Sequence, residues 1–517
     1  QRQLENIVSN IEGDVFKASD SLGWAYQFWQ NKKKEIINKS ESKIGEKELP
    51  AVTQLFTEPY MVKYIIDNTL GAWYFNKKLS EISTEARTSH NIKIEEMSFL
   101  QGIDFSYLKM TRTDEGLTPA AGKFENWPDD LSKLKIMDPS CGSGHFLVSI
   151  FLTLIPMRME LEKLSAFEAC NRILTENIFG LEIDKRCVEI AVFSIALAAW
   201  KYPNAGGYRK LPDIQIAWCG QSFKLKKEEW IDLVKDDPSL RYCMAGLYEI
   251  FRNANILGSL INPLKHVSNN SIFDMNRDEI HSILTKLASK QTYENDTLGV
   301  LAQSVEKAFL LLANQYQWVI TNVPYLTMKK QDERMKELIS KQYPISKYDL
   351  STTFFERMLE LCDKSGVVSC VMPINWMFSK SYKSFREYIL KNYEIGSIAI
   401  LGSGAFDSIS GEVVKVLLIS VNKHKASRDY SFAGYDVSDY SDKSEGLLKE
   451  ALRYCNQYEQ LQNPDGRILI EYNNSFDTLD SLAISKRGIV NGDNERWKRC
   501  FWDLPNKPSS WEWLQSA

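Results

Sequence analysis

The sequence predicts an α/β fold with a doubly wound, mostly parallel sheet, because short apolar segments alternate with helix-like stretches over residues 126–425. The stretch "LKIMDPSCGSGHFLVSIFL" has the pattern of a strand, a glycine turn and a helix. A strand, an acidic turn and a helix follow in "NIFGLEIDKRCVEIAVFSIALAAW". Ligands of such sheets bind beyond the carboxyl ends of the strands, so we expect the functional residues in the turns that follow strands.

The later segments complete a predicted set of seven strands, with "DIQIAWCGQSF", "YQWVITNVPY", "GVVSCVMP", "GSIAILG" and "EVVKVLLISVNK". The stretch "STTFFERMLEL" has apolar residues at helical spacing, and we expect Ser351 to cap the start of this helix. A charge-rich segment with a helical pattern, at about residues 223–315, is inserted between the third and fourth strands. The insert therefore breaks the regular alternation only once.

The flanking regions differ from this core in composition. Residues 1–125 are charged and mainly helix-patterned, and the chain becomes polar after residue 425, so we predict domain boundaries near 125 and 425 and treat 426–517 as a separate region. A chain of 517 residues can form at least two cores. Because it begins with Gln1 and ends abruptly after "WEWLQSA", we expect it to be part of a longer protein.

Composition excludes several classes of protein. The net charge of −4 gives no global basic field, so any contact with nucleic acid would come from local patches. Nine cysteines without a CxxC pair, and only five histidines, favour reduced thiols in a cytoplasmic protein and no metal site. No apolar run reaches the ~20 residues that a membrane helix needs, so we expect no membrane partner.

The glycine turn "DPSCGSGHF", which runs from Asp138 to Phe146, is the first candidate site. Gly142 and Gly144 directly after a strand would let the backbone approach a nucleoside closely. The turn lacks the third glycine of the dinucleotide fingerprint and the lysine of a phosphate-binding loop. Asp138 would offer a carboxylate to a cationic group. The alternative is a tight turn that Asp and Ser side chains cap.

Acidic side chains follow the next strand, in "FGLEIDKRC". Glu182 and Asp184 lie where an acid can accept both hydroxyl groups of a ribose. An acid at this place is also common as a helix N-cap, and Asp184 alone would be interpreted in that way. Glu182 is therefore the better candidate for a ribose contact.

The third candidate is "TNVPY", where a buried strand ends in Asn322, Val323, Pro324 and an exposed Tyr325 ring. Pro324 holds Val323 in an extended conformation. The Val323 carbonyl and the Asn322 side-chain oxygen can then converge on one amino group, on which Tyr325 would stack. The alternative is a polar β-turn that Asn322 caps.

The order of these motifs resembles the S-adenosylmethionine-dependent amino-methyltransferases, whose signatures are D-P-x-x-G-x-G-x-F/L and [NDS]-P-P-[YFW]. Val323 replaces the first proline of the second signature, from which the family uses the backbone carbonyl that valine also has. The segment "AVTQLFTEPYMVKYIIDNTLGAWY" resembles the one before the glycine motif in gamma-class N6-adenine DNA methyltransferases. The segments "NANILGSLI" and "RGIVNGDNERWKRCFW" resemble the large phage-defence methyltransferases of the BREX (PglX) and DISARM types.

The resemblance implies a seven-stranded, Rossmann-like methyltransferase sheet that binds S-adenosylmethionine and methylates a flipped adenine in double-stranded DNA. It implies other defence-system proteins as candidate partners and target recognition after Asp493. In the family the catalytic residues correspond to Asn322, Val323, Pro324 and Tyr325, and the target base contacts Tyr325 and Phe406. The implied cofactor contacts are Phe56, Thr57, Asp138, Pro139, Ser140, Gly142, Gly144, Phe146, Glu182, Asp184 and Gln221.

Alternatives remain at this stage. Phe406 could equally be a core aromatic residue at a strand edge. The whole protein could be a cofactor-bound DNA sensor of a defence complex with weak turnover, because Val323 departs from the signature. It could also be an N-methyltransferase that acts on an amide or on RNA, since related loops serve those substrates.

Overall fold

The structure is a computed structural model. It describes residues 21–40, 42–53, 55–81, 100, 102–113, 116–122, 124, 126–221, 226–232, 238–265, 296–406, 414–470, 500, 502, 506 and 509–510. The chain divides into two compact units, Gln1–Ile470 and Glu471–Ala517. The elements below all belong to the first unit. The segment "RGIVNGDNERW" and the expected start of target recognition lie outside the described residues.

A nine-stranded sheet dominates the described residues, with the strand order β11-β10-β8-β9-β7-β6-β3-β4-β5. The five strands β3 to β7 run parallel, β9 lies antiparallel between β7 and β8, and β10 is parallel to β8. The strands are β3 (Ile136–Asp138), β4 (Ile178–Glu182), β5 (Gln215–Trp218), β6 (Tyr316–Asn322), β7 (Cys362–Pro373), β8 (Glu394–Gly402), β9 (Val416–Asn422), β10 (Ser431–Asp436) and β11 (Arg453–Asn456).

The predicted doubly wound α/β sheet is confirmed, and each of its seven expected strands is present as β3 to β9. Two further strands, β10 and β11, extend the sheet beyond β8. The predicted boundary near residue 425 therefore falls between β9 and β10, inside the sheet. Its polar surroundings hid β10 in the sequence, although four of the six residues of "SFAGYD" are buried.

Helices cover both faces of the sheet and form most of the described part of the N-terminal region, together with a small hairpin of β1 (Met110–Thr113) and β2 (Gly116–Pro119). The described helices are α1 (Ser21–Lys39), α2 (Leu49–Thr53), α3 (Pro59–Ile66), α4 (Ala72–Ser80), α5 (His145–Glu162), α6 (Ala166–Glu176), α7 (Lys185–Lys201), α8 (Lys227–Asp232), α9 (Pro238–Phe251), α10 (Ala254–Leu257), α11 (Asp296–Ala313), α12 (Glu333–Gln342), α13 (Leu350–Leu361), α14 (Lys383–Asn392), α15 (Lys443–Lys449) and α16 (Gln457–Gln460).

The described part of the insert is helical, as its pattern predicts, and consists of α8 to α11. Its last helix, α11, packs against β4 and β5. This helix is thus the crossover that returns the chain from β5 to β6, and it belongs to a layer of the doubly wound fold.

The start of α13 corrects one expectation. Ser351 does not cap this helix, because it is already the second helical residue. Asp349 stands at the N-cap with extended dihedral angles, and its Oδ1 accepts a hydrogen bond of 2.9 Å from the Ser351 backbone N–H. A carboxylate is at least as good an N-cap acceptor as a serine hydroxyl, so the earlier of two polar residues starts the helix.

The centre of the sheet is buried on both faces. Trp318 and Ile320 of β6 contribute to one hydrophobic core and Val319 to the other, and all three side chains are fully buried. Alternate residues of a strand face opposite sides, so the side chains of β6 contribute to both cores. Among the described residues, no helix is long and apolar enough to cross a membrane.

Candidate active site

Three predicted turns meet at one edge of the sheet, because β6, β3 and β4 are neighbours in that order and run parallel. Two cavities open there, with volumes of about 730 and 440 Å³ including the space open to solvent. They share Leu55, Ser140, Gly142 and Asn322 in their walls. The glycine turn and the end of β6 therefore separate two adjoining spaces.

Most residues that were expected near a nucleoside line the wall of the larger cavity. Of the predicted site residues, its wall includes Pro139, Ser140, Gly142, Glu182, Asp184, Asn322 and Pro324. The smaller cavity contains the predicted residues Phe56, Thr57, Asp138, Ser140, Gly142, Phe146 and Asn322. The structure thus brings residues from positions 56 to 324 to one edge of the sheet.

The glycine turn adopts a backbone that other residues rarely adopt. Gly142 has a φ of 52° and Gly144 a φ of 88°. A β-carbon at Gly144 would lie 3.1 Å from the Cα atom of Ala191, so this glycine allows α5 and α7 to approach each other. A β-carbon at Gly142 would meet no atom within 4 Å and would take up open space between the cavities. Gly144 therefore allows α5 and α7 to pack closely, whereas Gly142 leaves the space between the two cavities open.

Glu182 organises the turns by accepting hydrogen bonds from the backbone. Its Oε2 accepts from the Gly142 N–H at 2.9 Å, and its Oε1 accepts from the Ile183 and Asp184 N–H groups at 2.8 and 2.9 Å. Burial raises the pKa of Glu182, which these hydrogen bonds oppose. The carboxylate joins the glycine turn to the end of β4, and Oε2, which accepts one hydrogen bond, retains a lone pair for a hydroxyl group.

Compared with Glu182, Asp184 accepts its hydrogen bonds from side chains as well as from the backbone, and these bonds hold the start of α7 in place. Its Oδ1 accepts a hydrogen bond of 3.0 Å from the Arg186 N–H and caps α7, as the alternative interpretation expected. The Arg186 guanidinium and the Tyr26 hydroxyl bind Oδ2 at 2.7 and 2.9 Å. Burial raises the pKa of Asp184, but the bonds from Arg186 outweigh it and the pKa is lowered. Asp184 is therefore an ionised cap at the cavity wall, and Glu182 remains the better hydroxyl acceptor.

Asp138 lies at the floor of the smaller cavity, and only 1% of its surface is exposed. Burial raises its pKa to about 7, although the Thr321 side chain and the Ser140 N–H donate hydrogen bonds that favour the ionised form. A cationic group in this cavity would stabilise the carboxylate further.

The loop after β6 holds the Asn322 amide in one orientation. The Tyr325 hydroxyl donates to Asn322 Oδ1 at 2.9 Å, and Asn322 Nδ2 donates to the Leu55 carbonyl at 3.4 Å. Val323 is buried, and its N–H donates to the Val371 carbonyl of β7 at 3.2 Å. The acceptor atom of Asn322 is thus turned toward Tyr325.

The ring of Tyr325 is not exposed, which corrects the expectation from the sequence. It is partly buried and packs against both hydrophobic cores, and burial raises the pKa of its hydroxyl well above the usual value, so the phenol is neutral. The strand before it is buried on both faces, and the short loop cannot carry the ring away from the sheet. In this structure the ring therefore supports Asn322 from the side of the protein.

Family comparisons agree with the motifs. A family model described as Eco57I restriction-modification methylase matches residues 176–406, and one described as MmeI, DNA-methyltransferase domain, matches residues 115–234. The adenine-specific methyltransferase PglX of Lacticaseibacillus casei (strain Zhang) is 27% identical over 440 residues, which cover 82% of this chain and 34% of that protein.

A second relative is the adenine-specific methyltransferase BrxX of Escherichia coli O9:H4 (strain HS), which is 26% identical over 80% of this chain and 34% of its own length. The chain is a homologue of adenine-specific methyltransferases. The predicted resemblance to the PglX type is confirmed, whereas the resemblance to the DISARM type stays a prediction. The chain spans about a third of the length of these relatives. Among solved structures, a DrdV-DNA complex covers 81% of this chain at 14% identity, with a TM-score of 0.43.

Five predicted residues of this methyltransferase homologue line neither cavity, namely Gly144, Gln221, Val323, Tyr325 and Phe406. Gln221 lines neither of them, and its Oε1 is buried without a hydrogen-bond partner among the described residues. Phe406 is 6% exposed and packs in a hydrophobic core, as its alternative interpretation expected. Their roles toward the cofactor and the target base stay predictions.

Sequence reasoning also missed residues that line the cavities of the methyltransferase homologue. His145 lies inside the glycine motif, with its ring centroid 5.0 Å from that of Phe56, and burial lowers its pKa to about 4. Its position between Gly144 and Phe146, inside the glycine motif, could have identified it from the sequence. The other missed residues lie partly inside the quoted motifs and partly in distant segments, of which "NANILGSLI" was noticed only as a resemblance. They are Gly23, Gln27, Leu49, Pro50, Thr53, Leu55, Cys141, Ser143, Ile183, Cys187, Ile256, Leu257, Gly258, Ser259, Leu260, Leu350 and Phe354.

Proposed function

We propose that the protein transfers a methyl group from S-adenosylmethionine to N6 of an adenine that is flipped out of double-stranded DNA, in a bacterial phage-defence or restriction-modification system. One observation carries this proposal: Asn322 stands in the wall shared by the two cavities, next to the glycine turn.

The residues around the cavities fit S-adenosylmethionine chemically. Gly142 leaves open space where a side chain would obstruct a ligand. Glu182 Oε2 offers a lone pair to a ribose hydroxyl, and the buried carboxyl of Asp138 offers a partner to a cationic amino group. Phe56 and Thr57 cover the smaller cavity, where the methionine part of the cofactor would lie. When bound, the cofactor supplies an electrophilic methyl group on a sulfonium centre.

The loop after β6 would bind the amino group of the target adenine. A base inside a duplex is out of reach, so the adenine must be flipped, which costs a few kcal/mol. Asn322 Oδ1 and the Val323 carbonyl accept hydrogen bonds from N6 and orient its lone pair toward the methyl group. They also stabilise the positive charge that develops on the nitrogen, which afterwards releases a proton to solvent. The Tyr325 hydroxyl holds Asn322 Oδ1 in place, and the contact of its ring with the base stays a prediction.

The test is methylation of adenine-containing duplex DNA by the complete protein, read by long-read modification mapping and by labelled-methyl incorporation. Asn322→Ala is expected to abolish methylation and to leave the affinity for the cofactor largely intact, because the side chain acts on the amine. The surface amide variant Asn392→Ala is the matched control and should behave as the wild type.

Other outcomes separate the alternatives. Loss of cofactor binding in Asn322→Ala would contradict the placement of the catalytic loop. A wild-type protein that binds the cofactor and DNA but forms no N6-methyladenine would favour a sensor. Methylation of a glutamine peptide or of RNA in preference to the duplex would favour the remaining alternatives.

A further inference from the structure

The segment directly after the catalytic loop is tied to the N-terminal region through its backbone. The Ile44 N–H donates to the Lys330 carbonyl at 2.8 Å, and the Asp332 N–H donates to the Ile44 carbonyl at 2.9 Å. These bonds form a parallel bridge between Ile44 and Gln331. Residues 42–46 therefore run beside residues 329–332, next to the proposed catalytic loop.

Five exposed lysines lie on these segments and on the adjoining helix α1. The Lys43 ammonium donates to the Lys329 carbonyl, and Lys330 is the next residue. On the other side, the Lys33 ammonium of α1 donates to the Lys47 carbonyl at 3.5 Å. We call Lys33, Lys43, Lys47, Lys329 and Lys330 the lysine ridge.

The lysines of the ridge outnumber the carboxylates of its two segments, although Lys336 and, to a smaller extent, Lys43 lower the pKa of the Glu333 carboxyl. None of its five ammonium groups forms an ion pair with another residue that the structure describes. The carboxylates within residues 42–48 and 327–333 have other partners, since Glu46 binds Asn255, Glu48 accepts from the Gly45 N–H, Asp332 caps α12 through the Met335 N–H, and Glu333 binds Lys336. The ridge is thus a local basic surface on a chain whose net charge is −4.

We propose that the lysine ridge binds the phosphates of duplex DNA beside the target base. This inference rests on the proposed function, and it adds a surface built from two distant parts of the chain. Lysines contact phosphates as mobile point charges and fix the register of the duplex without reading its sequence. Because the catalytic loop and the ridge share one continuous backbone, phosphates held at Lys329 and Lys330 would orient the DNA relative to Asn322.

The experiment measures the affinity of the protein for a short duplex by fluorescence anisotropy over a series of salt concentrations. The triple variant Lys43→Gln, Lys329→Gln and Lys330→Gln removes three charges. If each lysine neutralises one phosphate, the slope of log affinity against log salt should become shallower by about 0.9 for each, or about 2.7 together. The KM for DNA should rise, and kcat at saturating DNA should be retained.

The matched control removes three exposed lysines at the opposite edge of the sheet. Lys210 precedes β5, Lys364 lies at the start of β7, and Lys425 follows β9, which runs antiparallel to β7. The triple variant Lys210→Gln, Lys364→Gln and Lys425→Gln has the same net charge as the ridge variant. Its slope of log affinity against log salt should equal that of the wild type. A third variant, Lys43→Arg, Lys329→Arg and Lys330→Arg, should have the wild-type slope because arginine keeps the charge, and the retained kcat of the glutamine variant shows that it is folded.

The outcomes distinguish this inference from the proposed function. Equal slopes for the ridge variant and the control variant would overturn the lysine ridge, even if methylation is observed. A shallower slope in a protein that does not methylate DNA would support the ridge and count against the proposed function. A change in RNA binding without a change in duplex binding would also overturn the inference.

Discussion

At the scale of single residues, Asn322 and Tyr325 depend on each other. The Tyr325 hydroxyl donates to the amide oxygen that the proposed mechanism uses, at 2.9 Å. Asn322 Nδ2 is held by the Leu55 carbonyl, so the two ends of the amide are distinguished by their partners. The hydroxyl thereby positions Asn322, in addition to any contact of the ring with a base.

Tyr325→Phe separates these two roles, because it keeps the ring and removes the hydroxyl. We expect kcat to fall about tenfold, which corresponds to the ~1.4 kcal/mol of a typical lost hydrogen bond. The KM for DNA should change little. Steady-state methylation kinetics check this result, with Tyr440→Phe as the control for a tyrosine hydroxyl that binds Glu450 instead. An unchanged or higher kcat would contradict a positioning role.

Asp138 makes stability depend on pH. Burial raises its pKa to about 7, whereas the unfolded chain has the ordinary value of ~3.9. Between these values the folded protein keeps a proton that the unfolded chain has released, so this residue lowers the free energy of unfolding as the pH rises toward 7. Above the folded pKa its contribution becomes level. Asp138→Asn should remove this fall in denaturant titrations from pH 4 to 8 without cofactor.

The comparison with Asp138→Asn is necessary because His145 has the opposite effect. Burial lowers the pKa of His145 to about 4, so its contribution to stability grows as the pH rises toward the unfolded value. The difference between the wild type and Asp138→Asn isolates the carboxyl group. The exposed Asp439→Asn is the control, and an identical pH profile in all three proteins would refute the effect.

At the scale of elements, the glycine turn between β3 and α5 combines two functions in neighbouring positions. Gly144 allows the start of α5 to pack against Ala191 of α7, and Gly142 leaves open space at the cavities. Both have positive φ angles, so alanine is strained at either position. The two glycines therefore provide a matched pair of variants.

Gly144→Ala should destabilise the fold by about 2–4 kcal/mol, because backbone strain adds to a close contact at Ala191. Gly142→Ala should cost only ~1–2 kcal/mol of strain, but it should weaken cofactor binding more than tenfold. Denaturant unfolding and calorimetric titration of the cofactor check the two effects. Equal losses of stability, or full cofactor affinity in Gly142→Ala, would contradict this division.

At the scale of the whole molecule, the insert closes one wall of the larger cavity. Arg357 of α13 is 2% exposed and donates to the Ser259 carbonyl at 3.0 Å and to the Leu312 carbonyl at 2.9 Å. It also pairs with Glu360, which in turn binds Asn262 and Lys265. The buried Arg357 guanidinium thus connects α13 with two parts of the insert, the segment after α10 and the helix α11.

Arg357→Met should destabilise the protein by about 3 kcal/mol, because it leaves two buried carbonyl groups without their donor and removes one of the partners of Glu360. Affinity for the cofactor should also fall, since Ser259 lines the larger cavity. The control is Arg428→Met, which changes an exposed arginine. Denaturant unfolding measures the first effect and calorimetry the second. A loss below about 1 kcal/mol would show that the insert is held by other contacts.

Local chemistry explains which parts of the site could be predicted from the sequence. The turns at Asp138–Phe146 and Asn322–Tyr325 follow buried strands, and parallel strands bring their carboxyl ends to one edge. The orientation of Tyr325, the place of Gln221 and the cap at Asp349 depend on neighbours far along the chain or on competing partners. No periodicity in a single segment contains that information.

The sequence by itself determined the alternation of strands and helices, the glycine turn and the order of the motifs, because hydrophobic spacing and backbone freedom are local properties. Only the tertiary structure decided that residues 256–260 line the larger cavity and that β10 and β11 extend the sheet. It also decided that Tyr325 packs inward and that Lys43 lies beside Lys329. These features are contacts between distant segments, and burial and hydrogen bonding select them only when the whole chain is folded.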